Sequence, residues 1–137
     1  MKNRPFSKGT PFGISGGIKM AKYKYRLVKE EQWHFELLPN NSNEFYVAKS
    51  GNYKSKDAAL AGIKKFKSFL NEKGKEEIKS KVIIGLNDKG KPVSIFKFSN
   101  TEHFETRTQT NNYQLKMAAN RVIKNYNADL RSELNIE

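Results

Sequence analysis

Apolar and polar residues alternate over two short runs early in the chain. Tyr23, Tyr25 and Leu27 fall on one side and Lys24 and Arg26 on the other. Trp33, Phe35 and Leu37 repeat the pattern against His34 and Glu36. A period of two predicts half-buried β-strands. Pro39-Asn40-Asn41-Ser42-Asn43 is a turn cluster. Phe45 and Val47 then predict a third strand, ended by Ser50-Gly51-Asn52. Three strands joined by short turns predict an antiparallel meander. After them the period changes. Ala59, Ile63, Phe66 and Leu70 are spaced four, three and four apart, the stripe of an amphipathic helix. Ser55 is its predicted N-cap, Asp57 an acid in the first turn that complements the helix dipole, and Gly74 its stop.

The same order then recurs. Val82, Ile84 and Leu86 predict a strand, Asn87-Asp88-Lys89-Gly90 a turn, residues 92–98 a second strand, and Phe104, Thr106 and Thr108 a third. Ala119, Ile123, Tyr126 and Leu130 form a second stripe. Residues 44–70 align with 103–130 when Phe45 is set on Phe104 and Tyr53 on Tyr113, with one inserted residue. In that alignment Leu115 stands where Ser55 caps the first helix, so Asn112 or Gln114 is the expected cap of the second. The pattern predicts an α+β protein: two tandem repeats, each a three-stranded antiparallel meander plus a helix, packed as one compact body. Its expected organisation is a disordered basic arm over 1–19, a first repeat over 20–74, a charged linker over 75–81 and a second repeat over 82–137.

Charge changes the picture more than size does. The chain has 137 residues, with 26 Lys and Arg against 14 Asp and Glu, a formal charge of +12. Such a surface attracts polyanions, nucleic acid first. The absence of cysteine excludes disulfides, zinc ribbons and thiol nucleophiles. No run approaches the length of a transmembrane helix, and the Gly- and Pro-rich start does not read as a secretory signal, so a cytoplasmic protein without membrane association is expected. Gly16-Gly17 before Lys19 lacks both the spacing and the preceding strand of a phosphate loop.

The segment from Phe35 to Lys67 resembles the YegP-like family, also described as domain of unknown function 1508. The residues that carry the likeness are Phe35-Glu36, Ser50, Tyr53, Ser55-Lys56, Ala58-Ala59 and Gly62-Ile63. The resemblance is close over 33–67 and weaker over 95–126, where the second copy lacks the Ser before Lys116 and has Val122 in place of Gly62. It implies a three-strand-plus-helix unit, often in tandem, and no activity.

Candidate chemistry is sparse. His34 and His103 are the only histidines, no carboxylates stand at ligand spacing, and no nucleophile elbow is present, so no catalytic group, metal or cofactor is expected. Tyr53 and Tyr113, at equivalent positions before each helix, both read as wedges between strand end and helix, with base stacking as the alternative. Nucleic-acid binding is the leading functional expectation, through two alternative surfaces. One is the sheet face bearing Lys24, Arg26 and His34; the other is the helix face bearing Lys64, Lys65 and Lys67. Arg121 and Lys124 join from the second copy. The alternative is a protein-interaction module that binds an acidic partner or self-associates. A contiguous basic patch would favour the first, and an exposed apolar strip the second.

Overall fold

In the computed structural model, which describes residues 22–42 and 45–136, one seven-stranded sheet carries three helices. The strands are β1 (Tyr23–Lys29), β2 (Trp33–Pro39), β3 (Ala48–Ser50), β4 (Ile83–Leu86), β5 (Pro92–Lys97), β6 (His103–Thr106) and β7 (Asp129–Asn135). The helices are α1 (Lys56–Lys73), α2 (Lys75–Lys81) and α3 (Asn112–Asn125). The spatial order is β4-β5-β6-β3-β2-β1-β7. All neighbours are antiparallel except β1 and β7, which run parallel with a bulge after Tyr25. The expected arm over 1–19 lies outside the described residues. No helix among those described is long and apolar enough to cross a membrane.

β1 and β2 form where the period of two predicts them, in the register Leu27 to Phe35 and Tyr25 to Leu37. α1 also follows its local signals. Ser55 accepts a hydrogen bond from the Ala58 N–H, Ala59, Ile63, Phe66 and Leu70 are buried, and Gly74 ends the helix at φ 77°, ψ 158°. That backbone region is open essentially to glycine alone. Phe66 drives the stripe into the centre of the core, where its ring centroid lies 4.7 Å from Phe104 and 5.3 Å from Phe98. Truncating such a residue to alanine costs about 3–5 kcal/mol.

The two halves meet at β3 and β6. Lys49 faces Glu105 across the pair, with Ala48 opposite Thr106 and Ser50 opposite Phe104. About that point the hydrogen bonds are mirrored. The Phe35 N–H donates to Ser50 Oγ, and the Ser94 N–H donates to Thr106 Oγ1. The Gly51 N–H reaches the His103 carbonyl, and the Arg107 N–H reaches the Val47 carbonyl. Ser55 caps α1 and Asn111 caps α3, each accepting from the N–H three residues on. Val47, Lys49, Ser50, Gly51 and Ser55 thus each have a matching position fifty-six residues later.

Five expectations need correction. The alignment of Tyr53 with Tyr113 is slipped by four residues. One helical turn is nearly four residues, so a stripe shifted by a turn still matches itself. Asn111, not Asn112 or Gln114, is the cap of α3. Phe45 lies before β3 and is 62% exposed instead of entering the strand. The linker over 75–81 is helical: Ile78 is buried, the acids Glu76 and Glu77 open the turn, and Lys79 and Lys81 close it. Finally, the second stripe ends at Asn125, and Leu130 belongs to β7, which covers the free edge of β1.

Candidate functional site

Lys24 and Arg26, expected on an open sheet face, are buried, at 7% and 6% exposure, and His34 is buried beside them. Arg26 Nη2 lies 2.6 Å from Glu36 Oε1, its cross-strand partner, and His34 Nε2 lies 3.0 Å from Glu36 Oε2. Burial alone would raise the Glu36 carboxyl. The hydrogen bonds from His34 and Arg26 outweigh it and hold the group below the usual carboxylate range. Charges taken out of water survive only when paired in this way. The alternation predicts apolar-in, polar-out, but both faces of these strands are buried, and Arg26, His34 and Glu36 satisfy one another.

On α1 the three lysines part company. Lys64 is exposed. Lys67 places its Nζ 5.4 Å from the centroid of the Tyr25 ring. Lys65 is tied to Glu102 at 2.5 Å. Glu102, in the turn before β6, also accepts from Ser99 Oγ and from the Tyr53 hydroxyl at 3.0 Å. Desolvation would raise its carboxyl, but the hydrogen bonds from Lys65, Ser99 and Tyr53 bring it below its ordinary value. Burial, and then the Glu102 charge, push the Tyr53 phenol up. Tyr53 is the expected wedge. Its ring stacks on Phe35 with centroids 6.0 Å apart, and its backbone bridges Trp33. It lies so close to α1 that a methyl group at Gly62 would come within 2.7 Å of its Cζ and 3.0 Å of Phe35 Cε1. Tyr113 plays no such part and is 66% exposed.

Arg121 and Lys124 come together on the exposed side of α3. Three adjoining grooves run along it. The first, about 310 Å³, lies between α3 and the loops flanking β3 and β6, with Phe45, Tyr46, Arg107, Gln109 and Arg121 in its walls. The second, about 360 Å³, shares Arg121 and adds Lys124, Lys22 and Tyr23. The third, about 250 Å³, shares Lys22, Tyr23 and Lys124 and runs on to Ala128. Among the described residues no carboxylate lines any of the three. Arg107 sits over two rings, 5.4 Å from the centroid of Phe45 and 5.7 Å from that of Tyr46. Arg107, Lys22 and the paired aromatics carry no sequence motif. Each lies in a loop or at a strand start, and only packing makes them neighbours of Arg121.

A further cavity, about 630 Å³, has mixed charge. Lys49 and Lys97 face Glu102, Glu105 and Asp88 across it, and His103 lies 3.3 Å from Glu105. No cluster of three or more potential metal ligands occurs among the described residues. The edge strand β4 presents an apolar strip, with Ile83, Ile84 and Leu86 exposed at 52%, 45% and 68%.

No family model matches the chain, and no curated protein matches it. Two solution structures share its fold. One is the protein of unknown function yegP from E. coli, 18% identical, with a TM-score of 0.67 over 88% of this chain and 99% of the other. The second is a UPF0339 protein from Shewanella oneidensis, also 18% identical, with a TM-score of 0.60 over 85% of this chain and 94% of the other. The neighbours support the YegP-like resemblance at the level of the fold.

Proposed function

We propose that this chain is a non-catalytic cytoplasmic protein that binds nucleic acid along the α3 grooves. The observation that carries the proposal is the continuity of the three grooves, with Arg107, Arg121, Lys124 and Lys22 along them and no carboxylate among the described residues of their walls. Phosphates would meet these cations, which have no ion-pair partner among the described residues, and bases would meet Phe45, Tyr46 and Tyr23. Lys24 and Arg26 drop out because they are buried, and Lys65 because Glu102 neutralises it. Lys64 and Lys67, on α1, remain secondary contacts. We also propose that the two halves are copies of one β-β-β-α unit, on the strength of the mirrored hydrogen bonds about Lys49 and Glu105.

The test is fluorescence anisotropy of labelled single-stranded and duplex oligonucleotides at two salt concentrations. Replacing Arg121 and Lys124 together by Glu is expected to weaken binding at least about tenfold and to lower the log–log salt slope by about 1.4–1.8, two phosphate contacts' worth. Equal affinity and slope in the variant would remove the α3 surface from consideration. The second reading, a protein-interaction module, draws on the exposed strip of β4, an unpaired edge of the kind that accepts another strand. Concentration-dependent mass that Ile84→Lys abolishes, in a protein that ignores nucleic acid, would favour it.

A further inference from the structure

Around Tyr53 the first half of the molecule holds a filled slot, and the second half holds its unfilled counterpart. At the fifty-six-residue spacing Tyr53 corresponds to Gln109, Gly62 to Ala118, Lys65 to Arg121, Glu102 is the counterpart of Tyr46, and Gly51 corresponds to Arg107. All five counterparts, Gln109, Ala118, Arg121, Tyr46 and Arg107, line the 310 Å³ groove. In the first half an aromatic ring lies flat between strand end and helix, its hydroxyl on Glu102. In the second half the short Gln109 side chain replaces the ring. Pro92, at the place of Trp33, has no N–H to bridge this segment as Trp33 bridges Tyr53. The core beneath is compensated. Phe35 over Ala59 becomes Ser94 under Leu115, with Ser94 Oγ donating to the Leu115 carbonyl. Large-for-small exchange keeps the interior packed and leaves the deficit at the surface. The charge has also shifted toward positive: Glu102 gives way to an aromatic ring, and Gly51 to an arginine.

We propose that this slot receives one unstacked nucleobase of a single-stranded nucleic acid, stacked against Phe45 and Tyr46, with the adjoining phosphate on Arg107 and Arg121. This rests on the nucleic-acid reading above. A planar ring is the ligand the filled slot already displays. The guanidinium of Arg107 lies over both rings and extends the stacking platform. The absence of a carboxylate among the described lining residues suits an anion, and the volume is at the small end of ligand sites. A duplex, whose bases are already stacked, could not enter.

The probes are a labelled oligothymidylate of about twelve nucleotides, within the site sizes of small single-strand binders, and an abasic strand of equal length and charge. The wild-type protein is expected to bind the base-bearing strand about tenfold more tightly. Phe45→Ala, at a residue already exposed, should bring its affinity close to that of the abasic strand. Gln109→Tyr with Ala118→Gly, which rebuilds the Tyr53 wedge, should do the same while leaving abasic binding intact. Equal affinity of the wild type for the two strands would overturn the slot and leave phosphate binding standing. A preference that survives both variants would also overturn it. Failure to bind either strand would remove the nucleic-acid reading and the slot together.

Discussion

Gly62 lies in close approach to the Tyr53 and Phe35 rings, and a single methyl group there probes the Tyr53 wedge. In an unobstructed helix Gly→Ala stabilises by about 1 kcal/mol. At this site the new Cβ would meet the Tyr53 hydroxyl and Cζ, the latter at 2.7 Å, and Phe35 Cε1 at 3.0 Å. Phe35 is fully buried and Tyr53 is held by its backbone bridge to Trp33, so neither ring retreats freely. Overpacking of this kind costs about 1–3 kcal/mol. Displacing the phenol from Glu102 forfeits a charge-assisted hydrogen bond worth about 1.5–3 kcal/mol before solvent screening of this half-buried site reduces it. Set against the helix gain, Gly62→Ala should destabilise by about 1–3 kcal/mol. Urea denaturation followed by the fluorescence of Trp33, the only tryptophan, measures this directly. In a Tyr53→Ala background the main obstacle is gone, and the same substitution should become neutral or stabilising. Stabilisation by about 1 kcal/mol in the wild-type background would refute the packing of Tyr53 against α1.

Glu36 should govern part of the acid limb of stability. Its folded carboxyl lies below the usual value, so its stabilisation is complete above the unfolded pKa of about 4.3 and is lost as pH falls through the lower folded value. Glu36→Gln should therefore cost about 3 kcal/mol near pH 7, by removing the charge shared by Arg26 and His34, and should flatten the loss of stability between about pH 5 and pH 2; an acid limb as steep as that of the wild type would assign it to other groups. Asn111→Ala should lower stability by about 1 kcal/mol through loss of the cap on the Gln114 N–H, whereas Asn112→Ala should cost little. The reverse ranking in chemical denaturation would restore the slipped alignment.

Local periodicity by itself determined where β1, β2 and α1 lie, because each has a complete signal within its own residues. The strands alternate, the helix carries a cap, a stripe and a terminal glycine, and the order of elements in the second half repeats them. The wedge role of Tyr53 was legible for the same reason, from its place between a strand end and a capped helix. What no local pattern contains is the identity of whatever covers a second face or edge. Lys24, Arg26 and His34 look like a solvated side until Glu36 and the burial of both sheet faces are known. Leu130 prolongs a helical stripe until the free edge of β1 claims it as part of β7. The proposed fifty-six-residue correspondence is likewise invisible in side-chain pattern, since a helix repeats after each turn; it rests on the backbone pairing at Lys49 and Glu105. The α3 grooves belong wholly to the tertiary structure. Arg107, Phe45 and Lys22 are distant in sequence from Arg121, and only the joining of β3 to β6 and the docking of α3 place them along one surface.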